Sequence, residues 1–445
     1  MMSSFLTPFM ASSINVALPA IADEFSMTAV LLSWVVTSYL LAAAVFLVPF
    51  GRLADIHGRK RMFLYGMWVF TLASVLCALA PTATLLIAFR VLQGVGSAMM
   101  FGTSVAILSS VYPPQERGKA LGLTVATVYV GLAAGPFFGG LLTSVITWRS
   151  LFVVTLPLCA AVLYAGYVKL RGEWAEARGE SFDLKGSAIY ALSLTAVVFG
   201  LSLLPNIEGG IACTIGAAGI AVFVLWELRV DRPVLDMKLF RYNRAFAFSN
   251  LAALINYSAT SAVVFFVSLY LQYVRDLDAG TTGLILVSQP IMMALFSPIA
   301  GKLSDVMEPQ LIASAGMGIS AVGLLMLGLV SAGTDIMVVV GILAFLGFGF
   351  ALFSSPNMNA IMGSVERKVY GVASASVSTM RLVGQVLSLG IATLFIAVFV
   401  GDIEITSAVS EQFMDSYEFA FATFAALCFI GVFASLARGK VRRST

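Results

Sequence analysis

The chain has 445 residues, of which 60% are hydrophobic and only 11% carry charged side chains. Ordinary soluble domains contain about a quarter charged residues, and no soluble core could hide this much apolar surface. The composition therefore predicts a membrane protein that crosses the bilayer many times. No basic tract of the sequence resembles a nucleic-acid-binding patch, so no nucleic-acid partner is expected.

The predicted membrane spans follow from apolar runs of about 20 residues, the length of helix that crosses a bilayer. By this criterion the sequence contains fourteen spans, an even number that puts both termini on the same side of the membrane. The predicted spans cover residues 5–22, 27–50, 62–80, 82–110, 119–142, 150–168, 186–204, 211–228, 245–273, 281–301, 311–330, 335–354, 371–400 and 419–437.

The distribution of Lys and Arg gives this topology a direction. Only Arg149 and Arg275 fall in loops on one side, and only Arg90 and Arg381 fall inside spans; all the other cations lie on the side of the termini, in loops or tails or, for Lys119, at the first residue of span five. Cytoplasmic loops carry an excess of Lys and Arg. We therefore predict a multi-pass protein of the plasma membrane with both termini in the cytoplasm.

A basic segment between spans two and three has a weaker copy in the second half of the chain. The sequence GRLADIHGRKR at residues 51–61 is echoed by GKLSD at residues 301–305, again between two apolar runs. Two halves built on one plan are typical of secondary transporters. The repeat predicts four parts: a six-helix bundle at 1–170, an inserted helix pair with linkers at 171–244, a second six-helix bundle at 245–437, and a basic cytoplasmic tail at 438–445.

Further motifs occur in the same order along nearly the whole chain. They are NVALP at 15–19, WVVTSY at 34–39, RVLQG at 90–94, GLAAGPFFGG at 131–140 and FDLKG at 182–186. With the basic segment, this set resembles the major facilitator superfamily, specifically its fourteen-helix drug:proton antiporter branch. The resemblance implies an all-α membrane protein with a major facilitator fold, in which two inserted helices accompany two six-helix bundles, and it implies multidrug efflux by antiport.

The basic segment is the first candidate gating element. Gly51 and Gly58 permit close backbone approach, and Asp55 can pair with an arginine. By the resemblance, Asp55 and Arg59 latch the two halves at the cytoplasmic face when the cavity opens outward. Asp305 would be the counterpart in the second half. The alternative is a solvated basic loop that only fixes orientation.

The second candidate gating element is the glycine-rich run of span five. Gly131, Gly135 and Gly139 share one helix face against which another helix can pack, and Pro136 removes a backbone hydrogen bond and can kink the helix. The resemblance is to the antiporter motif of efflux proteins, which favours export. The alternative is a packing face without a further role.

Polar residues within predicted spans are candidates for the wall of a central cavity. A cation inside a span is costly unless it faces water or a partner, and uncharged polar groups can also join helices to one another. Snorkelling of Arg90 to the outer interface is a further alternative. The candidates are Asn15, Tyr39, Arg90, Gln93, Asn256, Tyr257, Gln289, Arg381 and Gln385.

The sequence departs from the branch at the expected proton-binding position. Proton-coupled transporters usually keep a carboxylate inside the membrane, and the branch has an Asp five residues before the Asn of NVALP. Here that position is Met10, and none of the 23 acidic residues lies deep in a predicted span. Our hypothesis is that Asp23, at the outer mouth, takes part in proton exchange. Because Arg90 then lacks its most obvious partner within the membrane, an anionic or neutral substrate, or a water-filled cavity around Arg90, is favoured over a site for lipophilic cations.

The sequence predicts an alternating-access exporter of small amphipathic compounds, driven by proton antiport. The alternatives are a transporter of a defined metabolite, uncoupled or proton-coupled, and a non-transporting membrane receptor. No phosphate loop, metal-ligand spacing or nucleophile elbow is present in the sequence, so neither an enzyme nor a cofactor nor a metal is expected. The expected partners are a small-molecule substrate, protons and the lipid bilayer, and we expect a monomer.

Overall fold

The computed structural model describes residues 2–111, 117–170, 172–366, 369–405 and 409–439. Within these ranges, fourteen helical stretches are long and apolar enough to cross a membrane, which confirms the predicted all-α fold with fourteen spans. Residues 440–445 of the predicted basic tail lie outside the described part of the chain.

The helices are numbered in chain order. Span nine comprises α10, α11 and a π-helical turn at Tyr270–Val274, and span ten comprises α12 and α13. The helices are α1 Met2–Phe25, α2 Ala29–His57, α3 Arg59–Ala78, α4 Ala83–Val111, α5 Arg117–Val145, α6 Ser150–Val168, α7 Leu184–Leu203, α8 Ile207–Glu227, α9 Met237–Tyr242, α10 Arg244–Thr260, α11 Val263–Leu269, α12 Ala279–Leu286, α13 Ser288–Val306, α14 Pro309–Gly328, α15 Ile336–Gly363, α16 Tyr370–Phe399 and α17 Ser410–Ala437.

The helices pack as two six-helix bundles with an additional pair. In the first bundle, α1 packs on α5, α2 on α4, and α3 on both α4 and α6; in the second, α10 packs on α16 and α17, and α15 packs on α13 and α14. Helices α7 and α8 pack on each other, and α7 also contacts α2 and α16. The inserted pair therefore lies along one seam between the bundles.

The other contacts across the seam come from a small set of helices. Helix α5 contacts α12 and α13, α2 contacts α16, and α1 contacts α11. These helices contain the glycine-rich run and several of the predicted cavity residues. The interface between the bundles is therefore the candidate location of the functional site.

The basic segment at residues 51–61 is more helical than the sequence suggested. Helix α2 continues to His57 and α3 begins at Arg59, so Gly58 alone forms the turn, with a φ of 120°. The prediction that all of residues 51–61 lie between two spans is wrong because residues 52–57 contain no helix breaker. Only glycine adopts such a positive φ without strain, which explains why the break falls there.

The glycine face of α5 packs against α1, as its spacing predicts. A Cβ atom added at Gly131 would lie 2.7 Å from the carbonyl oxygen of Phe5, and one added at Gly139 would lie 2.8 Å from that of Ser13. Both distances are shorter than any ordinary van der Waals contact with a methyl group. The two helices are therefore in backbone contact over at least two turns, which is how small residues stabilise helix pairs in lipid.

Replacing Gly139 by Ala tests this contact. The new methyl group would force α5 away from α1, and overpacking of this kind costs roughly 1–3 kcal/mol. We expect a lower unfolding temperature for the purified protein in detergent, measured by differential scanning fluorimetry. Gly210→Ala in α8 is the matched control, because no atom lies within 4 Å of its added Cβ. Equal unfolding temperatures for the two variants would contradict the backbone contact.

Candidate functional site

The two ends of the molecule are named here by the basic segment. The end that contains Gly58 is called the inner end, because the charge distribution predicts it to be cytoplasmic, and the opposite end is called the outer end. Helix α1 runs from the inner to the outer end, and α5 runs in the same direction. Asn15 and the glycine-rich run therefore lie in the outer half.

Helices α5 and α12 close the outer half by direct backbone contact. A Cβ atom at Gly283 would overlap the carbonyl oxygen of Pro136, and one at Gly140 would overlap that of Ala279. The glycine-rich run thus has two packed sides, one against α1 and one against the second bundle. A change in the angle of α5 would alter both contacts at once.

Hydrogen bonds add to this closure. Ser268 donates to the carbonyl oxygen of Asn15 at 2.8 Å, and the side-chain amide of Gln272 donates to that of Val16 at 3.1 Å. On the other side of the seam, the hydroxyl of Thr393 donates to that of Ser33 at 2.9 Å. The two bundles are therefore held together at the outer end on both sides of the seam.

Aromatic and polar residues of both bundles meet about halfway between the inner and outer ends. We call this group the central cluster, and its members are Phe101, Tyr129, Tyr257, Met293, Phe350, Ser354 and Arg381. The hydroxyl of Tyr129 donates to that of Ser354 at 3.1 Å. The rings of Tyr257 and Phe350 meet edge to face, with 5.5 Å between their centres.

Arg381 and Phe101 provide the second contact between the bundles within the central cluster. The guanidinium carbon of Arg381 lies 4.7 Å from the centre of the Phe101 ring, a distance typical of a cation–π contact. Gln385 lies one helical turn further along α16 and is partly buried. Of the predicted cavity residues, Tyr257 and Arg381 are therefore brought together at the seam, and Gln385 lies one turn from Arg381 on the same helix.

Arg90, Gln93 and Tyr39 form a separate network inside the first bundle. Arg90 is fully buried; it donates to the carbonyl oxygen of Val35 at 3.0 Å and to the side-chain oxygen of Gln93 at 2.6 Å, and it lies 4.3 Å from the centre of the Tyr39 ring. Gln93 in turn donates to Ser74 at 2.8 Å. Each of these partners belongs to α2, α3 or α4, so the contacts named here all lie within the first bundle.

The remaining polar candidates are more scattered. Asn256 is fully buried in the second bundle, where its side-chain oxygen lies 3.9 Å from the sulfur of Cys428. Asn15 and Gln289 are buried, and a side-chain oxygen of each has no hydrogen-bond partner among the described residues. Asp23 and Asp305 are exposed, at the outer end of α1 and the inner end of α13 respectively. The structure does not bring these five residues together.

The basic segment at the inner end binds the linker that follows α6. Arg59 donates to Asp55 at 2.8 Å and makes a bidentate pair with Glu176 at 2.8 and 3.0 Å. Arg52 pairs with Glu180 at 2.6 Å. Glu173 accepts from two backbone amides at the start of α3, where a helix N-terminus favours negative charge. We call residues 172–180 the acidic linker.

The roles of the two glycines in the basic segment differ. A Cβ at Gly58 would overlap the Glu173 carboxylate, whereas a Cβ at Gly51 would meet nothing within 4 Å. The close approach that we expected at both positions therefore occurs at Gly58 and not at Gly51.

Sequence reasoning missed the acidic linker and the burial of Arg438. The linker was interpreted only as a polar connection, although its glutamates at 173, 176 and 180 could have been matched to the arginines of the basic segment. Arg438, which we assigned to the solvated tail, is 2% exposed and donates to Asn357 at 3.0 Å. Burial lowers the pKa of Arg438 to about 10, so it still carries its charge at neutral pH.

Comparison with known proteins identifies the family. A model of the Major Facilitator Superfamily matches residues 1–389 and 249–444. The chain belongs to this superfamily of transporters. The predictions of a major facilitator fold and of a protein that is not an enzyme are therefore confirmed.

Individual relatives of the chain include a multidrug resistance protein, a riboflavin transporter and an export protein. The chain is 33% identical over 384 residues to the multidrug resistance protein Stp of Mycobacterium tuberculosis (strain CDC 1551 / Oshkosh), covering 85% of this chain and 71% of that protein. It is 28% identical over 435 residues to the riboflavin transporter RibZ of Clostridioides difficile (strain 630), covering 96% and 93%. The cephamycin export protein CmcT of Amycolatopsis lactamdurans is 30% identical, with 87% and 82% covered.

A solved structure shares the fold at low sequence identity. It is a bacterial homologue of the human lysosomal transporter Spinster, in an inward-facing and unoccupied conformation. The TM-score is 0.64 at 15% identity, and the match covers 98% of this chain and 96% of the other. The likeness supports the major facilitator architecture independently of the sequence comparisons.

The closure at the outer end can be tested by cross-linking. Because the Ser33 and Thr393 oxygens are 2.9 Å apart, cysteines at both positions lie within reach of a disulfide bond. In a Cys213→Ser background, where the other native cysteines are buried, we expect Ser33→Cys/Thr393→Cys to cross-link under mild oxidation. Intact-mass spectrometry of the unlabelled and thiol-labelled protein measures the bond. Free thiols in the double variant after oxidation would argue against closure here.

The contact between the acidic linker and Arg59 can be tested by hydrogen exchange. Glu176→Gln removes the charge of a carboxylate that is 70% exposed, and an ion pair with so exposed a partner is worth about 0.2–1 kcal/mol. The amides of Arg59 and Ala177 donate to the carbonyl oxygens of Trp174 and Asp55 at 2.9 and 3.0 Å, and we expect their exchange to accelerate a few-fold, measured by mass spectrometry. Glu208→Gln, at an exposed glutamate of the outer end, is the control. Unchanged exchange in Glu176→Gln would show that Arg59 does not hold the linker.

Proposed function

We propose that this transporter exports small amphipathic compounds by alternating access, with proton antiport as the source of energy. The observation that carries the proposal is the central cluster, to which both bundles contribute side chains beneath an outer end that is closed. A site shared by two bundles is what alternating access requires, because rocking of one bundle against the other exposes the site to each side in turn. The exporters among the relatives support the direction.

The proposal keeps the domain boundaries read from the sequence. Residues 1–170 and 245–437 are the two bundles that move, residues 171–244 are the inserted pair with its linkers, and the termini are cytoplasmic. Packing of α5 on both α1 and α12 supports α5 as the helix whose movement opens the outer end. In this arrangement the glycine-rich run is a hinge surface, with Pro136 at the contact with Gly283.

Proton coupling is proposed to involve Asp23. Met10, at the position where the branch has an Asp, is fully buried in apolar surroundings. Asp23 is exposed at the outer end of α1 and interacts electrostatically with Tyr273 of the π-helical turn. The same turn contains Gln272, which bonds to α1 across the seam. Protonation of Asp23 would therefore act beside a contact that opening must break.

A second candidate function is the transport of one defined metabolite. The observation that favours it is the riboflavin transporter among the relatives, which aligns over 96% of this chain and 93% of its own length. Flux of riboflavin and of drug-like dyes in vesicles, with and without an imposed pH gradient, separates the two candidates. Riboflavin flux that is independent of the gradient would favour the metabolite and oppose antiport.

The cross-linked variant provides the test of alternating access. We expect oxidised Ser33→Cys/Thr393→Cys protein in vesicles to lose nearly all dye efflux and to regain it when a reductant is added, because the outer end must open in each cycle. The single-cysteine variants, treated identically, should keep wild-type efflux. Full efflux by the cross-linked protein would contradict export through the seam between the bundles.

Asp23→Asn tests the proposed coupling residue. A carboxamide does not titrate, so we expect the dependence of efflux on outer pH to flatten relative to the wild type. Asp402→Asn, at another exposed acidic residue of the outer end, should keep the wild-type profile. An unchanged profile in Asp23→Asn, at equal expression, would remove Asp23 from the coupling mechanism while leaving efflux itself intact.

A further inference from the structure

The central cluster contains one arginine, Arg381, and no acidic residue. We propose that it binds planar aromatic molecules that carry a negative charge, with Arg381 as the residue that selects for the anion. The inference rests on the proposed transport function and specifies its substrate class. It follows from the charge, the ring geometry and the hydrogen-bonding state of the cluster.

The charge of Arg381 is not neutralised within the described part of the chain. Its guanidinium forms no ion pair there, and its Nε atom is buried without a hydrogen-bond partner. The contacts of the guanidinium are the Phe101 ring and the Tyr257 hydroxyl. A cation removed from water with neutral partners alone is costly, so a bound anion would be stabilised strongly at this position.

The helices around the cluster are almost free of acidic residues. Helices α4, α5, α10, α15 and α16 contain no Asp or Glu, and α13 contains Asp305 alone. Asp305 lies twelve residues beyond Met293 of the cluster, which is about 18 Å along a helix at 1.5 Å per residue. A cationic substrate in the cluster would therefore meet Arg381 and no carboxylate within reach.

The aromatic residues provide flat surfaces at the same height. Tyr257 and Phe350 stand nearly perpendicular to each other, with 73° between their planes, and Tyr129 and Met293 pack against them. Gly384 makes this arrangement possible, because a Cβ there would lie 2.8 Å from the Cβ of Tyr257. Stacking on such rings favours planar ligands.

A pair of dyes with one ring system and opposite charges tests the inference. Fluorescein and rhodamine 123 share the xanthene scaffold, but the first is an anion and the second a cation at neutral pH. We expect the purified full-length protein to bind fluorescein at least tenfold more tightly than rhodamine 123, measured by fluorescence anisotropy in nanodiscs. Tighter binding of rhodamine 123, equal binding of the two, or binding of neither dye would overturn the inference.

Variants of Arg381 and a matched control identify the selecting group. Arg381→Gln should remove the preference for fluorescein, whereas Arg381→Lys should keep part of it, since the charge remains and the planar stacking is lost. Arg241→Gln, at an exposed arginine of α9, should leave the preference unchanged. If Arg381→Gln does not fold, as judged by its unfolding temperature, Arg381→Lys provides the test. A smaller ratio of fluorescein affinity to rhodamine 123 affinity than in the wild type supports the inference.

Transport measurements separate this inference from the proposed function. If Arg381→Gln leaves the efflux of rhodamine 123 unchanged, the proposed export function is retained and the anion site is contradicted. A wild-type protein that binds fluorescein selectively but moves neither dye would retain the site and contradict export. An unchanged ratio of the two affinities in Arg381→Gln would show that another group selects the ligand.

Discussion

Close contact of helix backbones is the constraint on which the architecture depends. Lipid tails are as apolar as the side chains that face them, so the hydrophobic effect does not drive helices together inside a membrane. Their association relies on van der Waals packing and interhelical hydrogen bonds. Helix α5 meets this requirement on two sides, against α1 through Gly131 and Gly139 and against α12 through Gly140 and Pro136. One rigid element therefore belongs to a bundle core and to the seam between bundles, and it cannot tilt without changing both.

Four buried or half-buried arginines show how differently the molecule stabilises a cation. Arg59, at the inner end, has carboxylate partners; Arg90 and Arg438 have neutral oxygen partners from side chains and backbone. Arg381 has the weakest set, an aromatic ring and a hydroxyl. Arg90 and Arg381 each have one buried guanidinium nitrogen without a hydrogen-bond partner among the described residues, but Arg381 contacts residues of both bundles at the seam, which is where a ligand contributes most.

The fold could be predicted well from the sequence. Long apolar runs indicate the membrane spans, the distribution of Lys and Arg indicates their direction, and the internal repeat indicates two bundles. The site could be predicted less well, because cavity residues are defined by contacts between helices that are distant in sequence. Arg90 and Arg381 looked alike as cations within spans, yet one lies inside a bundle and the other at the seam. Phe101 and Phe350 carried no signal at all, since phenylalanine is ordinary in a membrane span. The break at Val287 and the π-helical turn at Tyr270–Val274 were likewise hidden in continuous apolar runs.

The acidic linker already binds Arg59, the arginine that the resemblance assigns to the latch at the inner end. The resemblance predicts that Asp55 and Arg59 latch the second bundle when the cavity opens outward. In this structure the Arg59 guanidinium already donates to Asp55, Ser110 and both oxygens of Glu176. By that expectation, a new partner from the second bundle would compete with Glu176 for the Arg59 guanidinium. Because that linker precedes α7, which contacts α2 and α16 along the seam, the inserted pair connects the ion pairs of Arg59 to the interface between the bundles.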